Sequence, residues 1–246
     1  MINVLYVMWL RQLKRYWRSK ARMLSSLGQP ILFLLALGFG FGPMYAKAGG
    51  GDYISFLAPG IISMSVLFSS MFMGMELIWD RQFGFLKETL VAPISRLSII
   101  VGRTLGGATV ALLQGIIVIM ITLIVGFRPE GLILALIFLF LIAILFTALG
   151  TGLASRLQDM HAFPMIINFI IMPVFFLSGA LFPLKDIPGA IGIITNLNPL
   201  SYGVDGVRGA LTGVWQYGIL LDLSVMLASI AVVFAISSLL FENMEV

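Results

Sequence analysis

Residues 131–155 read GLILALIFLFLIAILFTALGTGLAS, without one charged residue or histidine. A helix needs about 20 apolar residues to cross the hydrocarbon layer of a membrane. Main-chain N–H and C=O groups find no water there, so a spanning segment satisfies them within itself as a helix. Strands of a membrane barrel would instead alternate polar and apolar residues, and this run does not alternate. The segment therefore predicts a transmembrane helix.

Further windows of the same kind cover most of the chain, which is 60% hydrophobic. The other windows that lack charges and histidine are 23–46, 53–75, 104–127, 162–184 and 223–241. The predicted fold class is an all-α membrane protein, with residues 1–246 as a single transmembrane domain. Its predicted spans are about 24–43, 54–76, 100–126, 131–154, 162–181 and 219–241. The absence of cysteine excludes a disulfide scaffold.

The basic residues predict the orientation of these spans. Eleven of the 15 Lys and Arg residues precede the first window, or lie between windows two and three or between four and five. Cytoplasmic loops carry such an excess of positive charge. We therefore expect a multi-pass protein of the cell membrane with both termini in the cytoplasm.

The segment before the first span, residues 1–22, has an amphipathic pattern. On a helical projection, Arg11, Lys14, Arg15 and Arg18 share an arc of about 100°, and aromatic and aliphatic residues lie opposite. This pattern predicts an interfacial helix in the membrane plane, with its basic face toward anionic lipid and cytosol. Anchoring and docking of a partner both remain open for it.

The longest predicted cytoplasmic connection contains a short helix at about 82–92, which Pro93 ends because proline disfavours helical geometry in the residue before it. Phe83, Leu86 and Leu90 share one face by their spacing. That face can enter a groove of another protein or pack back on the spans.

Residues 183–212 carry several prolines and glycines among apolar stretches that are too short to cross. We expect a re-entrant segment of two short helices, about 187–196 and 200–212, with Asn198-Pro199 as the turn between them. Asp205 and Arg208, three residues apart, are expected to form a local ion pair.

Most catalytic sites lack their residues in this sequence. It contains no G-x-x-x-x-G-K-[ST] loop, no H-E-x-x-H or G-x-S-x-G motif, and one histidine, His161. Glu76, Arg103 and Asp222 fall at predicted span ends, where water or snorkelling is expected to reach them. An ion-coupled transporter would carry ionisable groups deeper in the membrane, and a lipid-modifying enzyme would need clustered reactive side chains. Both alternatives are less favoured than a transport subunit with an external energy source; no catalytic or metal site is expected.

Four stretches together resemble the permeases of type-2 ATP-binding-cassette (ABC) transporters, in the drug-resistance and polysaccharide-export branch. The first is the basic amphipathic N-terminus. The others are YISFLAPGI at 53–61, FGFLKETLVAPISR at 83–96, and FLSGALFPL at 176–184 followed by LNPLSYGVDGVR at 197–208. The resemblance extends over nearly the whole chain.

This resemblance implies a half-transporter that exports an amphipathic or lipid-like substrate, which is a drug, a lipid or a glycan. Two permeases, identical or paralogous, would bind two cytosolic ATPase subunits through the coupling segment and the N-terminal helix. The ATPases would use ATP and Mg²⁺, while this chain would bind no cofactor and no nucleic acid. It would also contact membrane lipid. Export is favoured over import because no segment outside the membrane is large enough to receive a binding protein.

The same resemblance implies a set of site residues. The expected ATPase contacts are Phe83, Leu86, Lys87, Glu88, Leu90 and Arg96; relatives often have an acidic residue after the glycine, where this chain has Phe85 and Lys87. The expected substrate-lining residues are Met64, Phe68, Met71, Phe72, Met172, Phe175 and Phe176, which offer an adaptable apolar surface. Packing within the core would explain these residues equally well. The re-entrant signature comprises Asn198, Pro199, Tyr202, Asp205 and Arg208.

Overall fold

The computed structural model describes residues 2–47, 52–91, 93–157, 159–184 and 189–244, and within these ranges it is helical without strands. The helices of the first half are α1 (Ile2–Arg18), α2 (Lys20–Lys47), α3 (Tyr53–Gln82), α4 (Phe85–Val91) and α5 (Arg96–Ile124). Those of the second half are α6 (Leu132–Arg156), α7 (Ala162–Ile166), α8 (Met172–Phe176), α9 (Ala190–Leu197), α10 (Pro199–Thr212) and α11 (Ile219–Glu242). A π-helical turn, Ile167–Ile171, joins α7 to α8.

Five helices in the described ranges are long and apolar enough to cross a membrane, namely α2, α3, α5, α6 and α11. The predicted fifth span is a shorter apolar helix, Ala162–Phe176, which is about 22 Å long at 1.5 Å per residue. Its π-helical turn precedes Pro173, which lacks a main-chain donor. A turn then follows, with Gly179 at a φ of 75°. Five of the six predicted spans therefore correspond to helices of spanning length, while the fifth corresponds to a helix of 15 residues, so the count of six stays a prediction.

Helix α3 lies at the centre of the molecule and packs against α2, α5, α6 and α10. Small residues permit these contacts: Gly74 faces Gly150 of α6, and Gly60 faces Ala180, with no room for a Cβ atom at either glycine. Such close approach of main chains is the usual packing mode of membrane helices. Because α3 has 30 residues, it extends beyond the predicted span and carries Glu76 and Asp80 as helical residues.

Helix α1, the predicted interfacial helix, packs along α5 of the same chain. Cβ atoms placed on Gly102 and Gly106 of α5 would lie 2.8 Å from Met8 and 2.8–2.9 Å from Gln12. Trp9 Nε1 donates to Thr109 Oγ1 at 3.0 Å, and Tyr16 Oη donates to Gln114 Oε1 at 2.6 Å. The glycine pair thus forms a groove for α1 within the same chain, as small-residue spacing favours.

The two short helices of the predicted re-entrant segment are present as α9 and α10, although residues 185–188 lie outside the described ranges. The Asn198 side chain caps α10 by accepting from Leu200 N at 3.0 Å, and it donates to Val174 O at 2.7 Å. Helix α10 is buried between α3, α6 and α11. Asn198 thereby joins the start of α10 to the end of α8.

Candidate docking groove and membrane cavity

Helix α4 is shorter than predicted, and its register decides which side chains are exposed. It begins at Phe85 instead of Gln82, because α3 continues to Gln82 and a turn at Phe83-Gly84 follows, with Gly84 at a φ of 80°. Leu86 is 1% exposed and belongs to the core. Of the two roles left open for Leu86, packing on the chain's own helices is the one observed.

The outer side of α4 presents Phe85, Lys87, Glu88 and Val91, all exposed. Phe83 in the preceding turn is 71% exposed, and Leu90 is half-buried against the core. Phe85 was not among the predicted contacts and stood out in the sequence only as a departure from the family pattern. Its exposure follows from the helix start at Phe85, which hydrophobic spacing alone did not reveal.

Arg96, another expected docking residue, has partners within the chain. Its guanidinium donates to the main-chain carbonyls of Glu242 and Met244. The side chain therefore ties the start of α5 to the end of α11, next to α4 in sequence. This contact fixes the C-terminal end of α11 on the same side of the molecule as α4.

A groove of about 900 Å³ separates α1 from α4. We call it the docking groove; it is lined by Val7, Leu10, Arg11, Lys14, Arg15, Arg18, Asp80, Phe85, Glu88 and Thr89. All four basic residues predicted for the N-terminal helix lie here, beside the helix predicted for coupling. The Arg11 guanidinium lies 6.0 Å from the centre of the Phe85 ring, which is within the usual range for a cation–π contact.

Asp80 forms the floor of this groove and connects three helices. It accepts from Arg11 at 2.9 Å, from Arg15 at 3.0 Å and from Arg103 of α5 on its other oxygen. Arg15 also lies 3.7 Å from Glu76. Glu76 and Arg103 are 1% and 3% exposed, so the expectation that water reaches them at the span ends was wrong. Both lie beside α1, which packs along α5 and approaches Glu76 through Arg15. Asp222, which was also expected to meet water, is 0% exposed.

A second cavity, of about 360 Å³, lies between α2 and α3 and is called here the membrane cavity. Its lining residues are Tyr16, Ser25, Ser26, Gln29, Pro30, Met64, Ser65, Phe68, Ser69, Phe72, Met73, Met75 and Trp79. It contains three of the seven residues expected to line a substrate path, namely Met64, Phe68 and Phe72.

The other four expected lining residues lie elsewhere. Met71 and Phe175 are buried in the core, Met172 is half-buried against it, and Phe176 is exposed. Phe175 still contacts the cavity wall, because its ring packs edge-on to Phe68 with centroids 6.0 Å apart. The polar members from α2 were missed, since their position depends on how that helix is rotated against α3.

At the opposite end of α3, the re-entrant signature residues hold the turns around α10. Asp205 accepts from Gln216 N and Tyr217 N at 2.9 Å each, and Tyr202 Oη donates to Asn196 O at 2.8 Å. Arg208 donates to Gly179 O at 2.7 Å, with its guanidinium 4.2 Å from the Phe56 ring centre. Asp205 and Arg208 thus have partners other than the local pair that was expected.

Arg208 stays cationic in this setting. Burial lowers the pKa of its guanidinium to about 10, while the nearby Asp205 acts in the opposite direction. The side chain is therefore charged at neutral pH, and the Phe56 ring and the Gly179 carbonyl stabilise that charge. Together with Pro199 at the start of α10, these residues stabilise the end of α3 that lies opposite the docking groove.

Sequence comparisons agree with this arrangement. The model of the family described as "ABC-2 type transporter" matches residues 3–212. The chain is 34% identical to transport permease ycf38 of Porphyra purpurea, with 78% of this chain and 68% of that protein covered. It is 28% identical to nodulation protein J of Rhizobium leguminosarum bv. viciae, with 92% and 90% covered. The five apolar helices of spanning length and the family match indicate a multi-pass membrane protein. The chain therefore belongs to the ABC-2 type transporter family, a family of transmembrane transport permeases.

Proposed function

We propose that this chain is the transmembrane subunit of an ATP-driven exporter, and that separate cytosolic ATPase subunits drive it through the docking groove. The exported substrate is an amphipathic or lipid-like molecule, a drug, a lipid or a glycan. The observation that carries this proposal is the groove itself, in which exposed side chains of α4 face the basic side chains of α1. A protein that binds in this groove can transmit its own movement to α1 and α4.

The groove is connected rigidly to the spans. Arg11 and Arg15 on α1, Asp80 on α3 and Arg103 on α5 form one network of ion pairs. A push on α1 or α4 therefore reaches two spanning helices through directed contacts. Loose loops would absorb such a displacement, whereas α4 is joined to α3 by a turn of only two residues.

The complete transporter, in this proposal, pairs two such permeases, identical or paralogous, with two ATPases that bind ATP and Mg²⁺. Both termini and the docking groove face the cytoplasm, as the distribution of Lys and Arg indicates. The short helix Ala162–Phe176, continued by the turn after it, acts as the remaining span. Helices α9 and α10 then form the re-entrant segment of the outer leaflet.

The revised ATPase contacts are Phe83, Phe85, Lys87, Glu88, Leu90 and Val91, with Lys14 and Arg18 opposite.

Charge reversal on α4 tests the docking groove. A tagged chain from its native host is expected to purify with a protein that contains a nucleotide-binding G-x-x-x-x-G-K-[ST] loop and hydrolyses ATP. Lys87→Glu combined with Phe85→Asp should reduce its recovery by at least about ten-fold, because it removes one charged and one apolar contact. Leu86 is left intact, since a charge at a buried position would disturb folding.

The matched control is Arg156→Glu, a charge reversal at an exposed residue outside the groove. This variant should retain the ATPase. Equal recovery with the α4 double variant and with the control would show that the ATPase binds elsewhere.

A further inference from the structure

The membrane cavity between α2 and α3 has a different chemistry from the docking groove. Among the residues that the structure describes, its lining includes no Asp, Glu, Lys, Arg or His. One part of the lining is uncharged and polar, with Ser25, Ser26, Gln29, Ser65 and Ser69. A ligand of this cavity meets hydroxyl and amide groups, and no fixed charge.

Two of these polar groups are available to a ligand. Tyr16 and Ser65 already donate to Gln114 and to the Ile62 carbonyl. Ser69 and Gln29 have no hydrogen bond within the described part of the chain, and Ser69 is half-buried. A hydroxyl and a carboxamide each donate and accept. They complement a ligand group that also does both, such as a hydroxyl or an amide.

The rest of the wall is apolar and adaptable. Met64, Phe68 and Phe72 lie on the face of α3 that also carries Ser65 and Ser69. Thioether and aromatic side chains accommodate varied apolar shapes and also pack on sugar-like ring faces. The cavity thus offers polar and apolar contacts side by side along one helix.

A charged head group would find no counterion here. The Arg15 guanidinium lies 5.8 Å from the ring centre of Trp79, a lining residue, and is paired with Asp80. Moving an unpaired anion into a largely apolar site carries a large desolvation cost, and aromatic ring faces attract cations but not anions. The lining therefore favours uncharged heads over anionic ones.

We propose that the membrane cavity binds the uncharged, hydroxyl- or amide-bearing head of an amphiphile, as a loading site for the exported substrate. The inference rests on the proposed transport function. A volume of about 360 Å³ is near the lower end of ligand pockets, so it admits a head group and the start of a chain. The remaining chain leaves past Phe72, which is 46% exposed.

Photo-labelling tests this assignment. The full chain, purified with its ATPase, is reconstituted in liposomes with a dodecyl glucoside whose alkyl chain carries a diazirine. A dodecyl sulfate probe with the same diazirine chain serves as the charged comparison. After illumination, mass spectrometry maps the labelled residues. We expect the glucoside to label α2 and α3 around Gln29 and Phe72, at least about five-fold more than the anionic probe.

The variant Ser69→Ala with Gln29→Ala should reduce labelling by the glucoside about ten-fold, since each lost hydrogen bond changes affinity by about two- to ten-fold. Ser224→Ala on α11, an exposed serine outside the cavity, should leave it unchanged. Equal labelling by both probes, or labelling unaffected by the double variant, would overturn the proposal.

Recovery of the ATPase from the same preparations separates the two proposals. If the ATPase is retained while the cavity is not labelled, only the loading site is refuted. If the cavity is labelled in a chain that recovers no ATPase, the binding site stands and the proposed ATP-driven function fails.

Discussion

At the scale of single residues, Asp80 joins three arginines at the floor of the docking groove. It is 1% exposed and contacts three arginines from two other helices. The positive charge of the buried arginine is neutralised only while Asp80 keeps its negative charge. Removing that charge leaves Arg103 buried without its partner.

Asp80→Asn should therefore destabilise the protein strongly. Loss of one partner from a buried ion pair costs about 3–5 kcal/mol, and Arg103 is as buried as Asp80. We expect a lower midpoint of thermal unfolding in detergent, followed by tryptophan fluorescence, and easier tryptic cleavage at Arg11 and Arg15. Asp159→Asn, at an exposed carboxylate, is the matched control. Indistinguishable unfolding of the two variants would show that the ion pairs contribute little.

Asp80 also shows what the sequence could not reveal at this scale. In the sequence it follows the charge-free window 53–75 within a connection that contains other charged residues, and nothing there indicates burial. Its burial depends on α1 folding over α3 and α5, which are distant in sequence. The same reason explains why Glu76 and Arg103 were expected to meet water.

At the scale of elements, the turn between α3 and α4 sets the direction of the docking helix. Gly84 has a φ of 80°, and a Cβ atom there would meet nothing within 4 Å. The requirement for glycine is therefore conformational and not steric. Residues with a Cβ atom rarely adopt this backbone geometry, although asparagine does so more readily than most.

Gly84→Val and Gly84→Asn together test this turn. The valine variant should lose most ATPase recovery, because a β-branched residue disfavours the left-handed conformation and α4 then leaves its position. The asparagine variant should retain most of it. Copurification at equal expression is the measurement, and equal loss in both variants would point to a role of Gly84 other than backbone geometry.

Predictability from the sequence also differed between elements. The long apolar helices were predicted well, because charge-free windows of spanning length have one structural solution in a membrane. Helix α4 was predicted in the right place but with too early a start, because α3 continues to Gln82 and the next helix begins only at Phe85. The predicted span at 162–181 ends at Phe176, because the chain turns at Gly179 and the Asn198 side chain binds the carbonyl of Val174.

At the scale of the whole molecule, the two candidate sites lie on either side of α1. The docking groove contacts α1 through Arg11 and Arg15, and the membrane cavity contacts it through Tyr16. Helix α1 therefore connects the groove proposed to bind the ATPase with the cavity proposed to bind the substrate. The resemblance of short motifs predicted the family, whereas this shared helix became visible only in the packing of α1 along α5.

The central claim is that the α1–α4 groove faces the cytoplasm and is covered by an ATPase. Because the chain has no cysteine, Lys87→Cys and Arg156→Cys each introduce a single thiol without background. Without the ATPase, a membrane-impermeant maleimide should label both thiols in inverted vesicles and neither thiol in sealed right-side-out vesicles. The bound ATPase should then protect only the thiol at position 87. Labelling of that thiol from outside, or equal labelling with and without ATPase, would contradict the account.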